Sequence, residues 1–214
     1  MSAVKAIVFD FNGTLSDDEP ILCEIFMTLF AEYGRPLSAQ EYFDELAGLS
    51  DPEIVLTWLG RDREDVDEIV AQRVQRYEDA VADGSTVHEH VREAVRYAAE
   101  RVPLAICSGA ARSEIEPVVA AAGLAPLLRG IVSSDDVVDG KPHPEGYLKA
   151  LWLFGDMQPG EVLAIDDTEA GVASAKDAGL LTFAKTGTLD PHRLARADEL
   201  VDRIDVELMR RVLG

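Results

Sequence analysis

The chain has 214 residues, 47% of them apolar, enough for one large domain or a domain with a substantial insertion. Its net charge of −20 and pI near 4.4 exclude nucleic acid and anionic membranes as principal partners, since both would repel it at long range. Small anionic substrates remain possible, because a lysine, a metal ion or backbone N–H groups can dominate the field inside a cleft.

In chain order, the apolar run from Ala6 to Phe9 reads as a short buried strand that ends at Asp10. Ile21, Leu22, Ile25, Phe26, Leu29 and Phe30 then mark one helix face, closed by Gly34-Arg35-Pro36. Helical patterns follow over 38–47, 52–59 and 64–81, the last with Val66, Ile69, Val70, Arg73, Val74 and Tyr77 at helical spacing. From there strands and helices alternate. Apolar runs at 104–107, 130–132, 162–165 and 181–184 read as strands, and 87–101, 112–122, 144–154 and 168–178 as helices. This rhythm predicts an α/β fold, an open parallel sheet with helices on both faces. The four helices after the first strand predict an inserted α-helical cap over 17–83, with the core made of 1–16 and 84–214.

Cys23 and Cys107 lie in apolar stretches and read as buried free thiols. No run has the pattern of a signal peptide or the length of a membrane span, so the expectation is a soluble cytoplasmic protein. Monomer and homodimer are not distinguishable from these features.

Ligands of an open parallel sheet bind beyond the carboxyl ends of its strands. Asp10, Asn12 and Thr14 follow the first run, and Ser108-Gly109 the second. Gly140-Lys141-Pro142 comes after the third and Asp166-Asp167-Thr168 after the fourth. A strand-end carboxylate can attack phosphorus and form an aspartyl phosphate. Thr14, Ser108 and nearby backbone N–H groups can donate to a phosphoryl group, and Lys141 can supply a compact positive charge. Asp10, Asp166 and Asp167 offer hard oxygen ligands suited to Mg²⁺.

Taken together and in order, VFDFNGTLSD, CSG, GKPHPEGY and IDDTEAG resemble the four motifs of the haloacid dehalogenase-like hydrolase superfamily. The resemblance covers the whole chain and points to the branch with a helical cap after the first strand, which includes β-phosphoglucomutase and phosphoglycolate phosphatase. It implies a Rossmann-like core and a Mg²⁺-dependent phosphatase of a small phosphorylated metabolite. Asp10 would be the nucleophile. Mg²⁺ would be held by Asp10, the backbone carbonyl of Asn12 and Asp167, with Asp166 beside or on the metal. Thr14, Ser108, Gly109 and Lys141 would bind the phosphoryl group.

Residue 12 departs from that pattern. The family's phosphatases and mutases carry Asp there, which protonates the leaving alkoxide and then activates water. Asn can hydrogen-bond but cannot exchange a proton near neutral pH. Phosphonatases also lack this Asp, but they use a cap lysine, and no lysine occurs between Asn12 and Arg101. Dehalogenases lack it too, and Lys141 with Tyr147 resembles theirs, yet they work without metal while Asp166-Asp167 looks like a metal site.

Four accounts of Asn12 stay open. In one, another group carries the proton in its place, with His143, Asp17 and Glu19 the nearest in sequence. The chain could be a phosphate-ester binding protein with little turnover. Asn12 could be an engineered replacement of Asp, or could deamidate before Gly13. A phosphosugar mutase is the alternative activity, disfavoured by Asn12 and by Glu45, which a loose alignment places where the mutase has a phosphate-binding Arg.

Overall fold

The computed structural model describes residues 4–214. Six parallel strands form one open sheet in the order β3-β2-β1-β4-β5-β6. They are β1 (Ala6–Phe9), β2 (Leu104–Cys107), β3 (Leu128–Val132), β4 (Val162–Asp166), β5 (Leu181–Lys185) and β6 (Glu199–Val201). Every residue of β1, β2 and β4 is buried, which is why these strands read as unbroken apolar runs.

Their side chains alternate between two packed layers. Ile7, Phe9, Leu104, Ile106, Leu163 and Ile165 face one layer, with α5 (Glu89–Ala99), α6 (Arg112–Ala121) and α9 (Val206–Leu213). Ala6, Val8, Ala105, Cys107 and Ala164 face the other, where α7 (Glu145–Trp152) and α8 (Glu169–Asp177) pack close against small side chains. The expected α/β sheet with helices on both faces is therefore present. β6 and α9 were not anticipated. The former is three residues long, and the latter packs mainly against α5.

Between β1 and α5 lie α1 (Glu19–Glu32), α2 (Ala39–Glu41), α3 (Asp51–Leu59) and α4 (Val66–Val81), with α1 and α3 both packed on α4. The helix expected over 38–47 starts as α2, where Ser38 and Glu41 cap each other, and then widens into a π turn over Tyr42–Leu46. Its wide bond, from Ala47 N–H to the Tyr42 carbonyl at 2.8 Å, turns Tyr42 inward. Single π turns of this kind recur at functional sites. The chain leaves and re-enters the sheet domain at adjacent points: Ser16 Oγ donates to Thr86 Oγ1 at 2.7 Å, and Asp17 N–H to the Thr86 carbonyl at 2.9 Å.

Candidate active site

Strand order reverses between β1 and β4, the position at which open α/β sheets form a crevice. Phe9 is in register with Ile165, and Asp10 N–H donates to the Ile165 carbonyl at 2.8 Å. Asp10 and the Asp166-Asp167 pair therefore leave neighbouring strands side by side. Their carboxylates are all buried, with one oxygen of each within 4.8 Å of the others. Lys141 spans them, with Nζ 2.6 Å from Asp10 Oδ1 and 2.7 Å from Asp166 Oδ2.

The three carboxylates have different surroundings. Asp166 Oδ2 also accepts from Tyr147 Oη at 2.7 Å, and its Oδ1 from the N–H and hydroxyl of Thr168, both at 2.9 Å. Its oxygens are fully engaged, and they leave no room for a side chain at Gly171, where a Cβ would lie 2.0 Å from Oδ2. Asp167 Oδ1 accepts from Thr14 Oγ1 at 2.8 Å, while among the described residues its buried Oδ2 has no hydrogen-bond partner. Gly13, at φ +67°, leaves space for that oxygen: a Cβ there would sit 2.1 Å from it.

Burial dominates the electrostatics. It raises the pKa of Asp10 well above its ordinary value; Lys141 opposes this, and Asp166 and Asp167 add to it. Burial and the Asp166 charge push Asp167 up to about 7. Burial works against the charge of Lys141, but Asp10 and Asp166 outweigh it and hold the ammonium protonated. A buried acidic cluster that one lysine only partly neutralises, with an orphaned oxygen in it, fits a hard divalent cation.

Above these groups opens a cavity of about 450 Å³. Asp10, Asn12, Lys141 and Asp167 line its floor, with Ser108 and Gly109 beside them at the end of β2. Thr14 and Asp166 are buried outside it. The segments between β1 and α5 and the start of α6 contribute Glu19, Tyr42, Asp51, Arg73 and Glu114. Arg73 is bound between Asp51, at 3.0 Å, and Glu114, so α4 is tied by a buried ion pair to the core helix α6. Asp51, rather than Glu45, is the acidic residue of α3 and its approach that reaches the cavity; Glu45 is exposed.

Asn12 is held as well as exposed to the cavity. Its Nδ2 donates to Asp18 Oδ2 at 2.9 Å and to Tyr77 Oη at 3.1 Å, and Tyr77 Oη donates to the same Asp18 oxygen. Gly13 N–H donates to Asp18 Oδ1 at 3.2 Å. Sequence reasoning missed Asp18, Tyr77, Arg73, Asp51 and Glu114. Arg73 did give a signal, as a charged residue inside the apolar stripe of its helix.

A buried acidic triad with a bridging lysine thus stands at the switch point of a Rossmann-like sheet. The chain belongs to the haloacid dehalogenase-like hydrolases, whose family profile matches residues 7–185. It is 28% identical to a validoxylamine A 7′-phosphate phosphatase of Streptomyces hygroscopicus subsp. limoneus over 219 residues, 92% of each chain. It is 30% identical to the protein CbbY of Rhodobacter capsulatus over 208 residues, 92% of this chain and 89% of that one. CbbY of Rhodobacter sphaeroides, an Asp-to-Asn variant solved in complex with xylulose-(1,5)bisphosphate, superposes with a TM-score of 0.82 at 26% identity, covering 96% of each chain.

Proposed function

We propose that the protein is a cytoplasmic Mg²⁺-dependent phosphatase of a small phosphorylated metabolite, working through an aspartyl phosphate on Asp10. The observation that carries this reading is the floor of the cavity, where Asp10 and Lys141 stand 2.6 Å apart beside the unpartnered Oδ2 of Asp167. The phosphatase among its relatives supports it, and the buried free thiols of Cys23 and Cys107 accord with a reducing compartment.

Asp10, Asp167 and the backbone carbonyl of Asn12 would hold Mg²⁺, with Asp166 beside it. When bound, the ion neutralises the carboxylates and polarises the phosphoryl oxygens. Asp10 attacks phosphorus in line with the leaving oxygen. Lys141 balances charge on the phosphoryl oxygens, helped by Ser108 and the N–H groups around Gly109. Thr14 fixes Asp167, and Asp166 fixes Lys141, so both act by positioning. The helices of 17–83 form a cap that closes over the core of 1–16 and 84–214, excludes water and selects the leaving group.

A mutase must hold a second phosphate, and the distal wall would meet it with Asp51 and Glu114 already occupying Arg73. That arrangement weighs against the mutase.

The test is phosphate release from an aryl phosphate and a panel of sugar phosphates. Release that needs Mg²⁺ and disappears with EDTA or Asp10→Ala supports the reading. A protein that binds these esters but releases no phosphate and forms no acid-trappable phosphoenzyme would be a binding protein instead.

A further inference from the structure

We propose that Glu19 is the proton carrier of this site, giving the leaving oxygen the proton that Asn12 cannot supply and taking it back from the attacking water. This inference rests on the phosphatase reading and adds a catalytic residue to it.

A general acid must reach the leaving oxygen directly or through one water, and must keep a carboxyl oxygen free to do so. His143 fails the first condition. It is exposed outside the cavity, and its ring Nδ1 accepts from the N–H of Glu145 at 3.3 Å. Asp17 is exposed and paired with His88 at 2.9 Å. Asp18 is fully buried outside the cavity lining, with its oxygens engaged by Asn12, Tyr77 and Gly13.

Glu19 faces the same cavity as the nucleophile and keeps one carboxyl oxygen free. It lines the cavity with Asp10, Asn12 and Lys141. Its Oε1 accepts from Tyr42 Oη at 2.9 Å, and among the described residues its Oε2 receives no hydrogen bond. The π turn that brings Tyr42 inward thus orients the carboxyl and leaves one oxygen free.

The charged and titratable groups around Glu19 are Asp18 and Cys23 on its own helix, Tyr42, Arg73 from α4, and Asp10 and Asp167 from the strand ends. Burial raises its pKa from 4.5 to about 7; Asp18 and Asp10 add to this, and Tyr42 and Arg73 oppose it. A carboxyl poised there can both give and accept a proton near neutral pH.

The balance is simple. Asp10 forms a bond to phosphorus as the bond to the leaving oxygen breaks. That oxygen takes the Glu19 proton and departs as an alcohol. Water then attacks phosphorus and gives one proton to the Glu19 carboxylate. The bond from Asp10 to phosphorus breaks, releasing hydrogen phosphate and restoring both carboxyl groups.

The experiment compares Glu19→Gln and Glu19→Asp with the wild type, using nitrophenyl phosphate and an alkyl sugar phosphate in Mg²⁺. Nitrophenolate needs no proton to leave. Glu19→Gln should therefore keep a near-stoichiometric nitrophenolate burst and accumulate phosphoenzyme. Its steady state, and its single turnover of the alkyl ester, should fall about a hundred- to ten-thousand-fold. The limb of the pH profile near pH 7 should vanish, and Glu19→Asp should recover part of the rate.

In a background of Asn12→Asp with Asp18→Asn, which exchanges amide and carboxyl, Glu19→Gln should cost much less. Alkyl turnover within about threefold of wild type in Glu19→Gln would overturn the proposal. So would loss of the burst along with the turnover, which would mean a structural role. No release of nitrophenolate or phosphate from the wild type in Mg²⁺, by burst or by steady turnover, would instead refute the phosphatase reading itself.

Discussion

Replacing Asn12 by Asp tests the site in a way the sequence does not anticipate. By the family pattern this change repairs the enzyme. In the structure, Asn12 Nδ2 donates to Asp18 Oδ2 at 2.9 Å, and that oxygen already takes the Tyr77 hydroxyl. Asn12→Asp turns the donor into a second carboxylate facing a buried one. Losing a hydrogen bond to a charged group costs about 1.5–3 kcal/mol. Two carboxylates at that distance cannot both ionise readily, so the pair shares a proton.

At about 2–4 °C per kcal/mol for a chain of this size, Tm should fall by about 3–12 °C at pH 8. Burial already raises the pKa of Asp18, and the new neighbour raises the pair further. Stability tied to a raised carboxyl pKa is present at low pH and lost as pH rises through the folded-state titration. The deficit should therefore be smallest in acid and grow toward pH 8. Adding Asp18→Asn restores a donor to the pair and should recover most of the loss. The assay is thermal unfolding of the three proteins in metal-free buffer between pH 5 and 8. A single variant that melts within about 1 °C of wild type at pH 8 would refute the reasoning.

Other outcomes follow from the same geometry. Arg73→Met leaves Glu114 buried without its cation and should cost about 3–5 kcal/mol in denaturant unfolding, since breaking a buried pair exposes the full desolvation penalty. Gly13→Ala would place a Cβ 2.1 Å from Asp167 Oδ2, and Mg²⁺ affinity measured by calorimetry should weaken about ten- to a hundredfold. Glu19→Gln should stabilise the metal-free protein at pH 8 relative to wild type, but not at pH 4. The native carboxyl, raised from 4.5 to about 7, lowers stability as pH climbs through that window, and the amide does not titrate. Equal Tm differences at the two pH values would contradict this.

By itself, the sequence determined five of the six strands and which polar residues stand at their ends. Buried parallel strands must be apolar on both faces, so β1, β2 and β4 stand out as short unbroken runs, and the polar residues after them fall at strand ends. β6 was not readable, because three residues with a half-exposed leucine carry no period and are strand only through pairing with β5. The π turn at Tyr42–Leu46 reads as ordinary helix, since its widening depends on packing rather than composition.

Tertiary structure decided how the acids divide their work. Asp17, Asp18 and Glu19 are consecutive and chemically alike. Only folding sends the first to His88 in solvent, the second beneath Asn12 and Tyr77, and the third into the cavity under Tyr42. Likewise Arg73 stands out in its stripe, but its partners lie on α3 and α6, brought to it by helix packing. A carboxylate's role depends on its solvent, its donors and its neighbours' charges, and those are set by distant segments meeting in space.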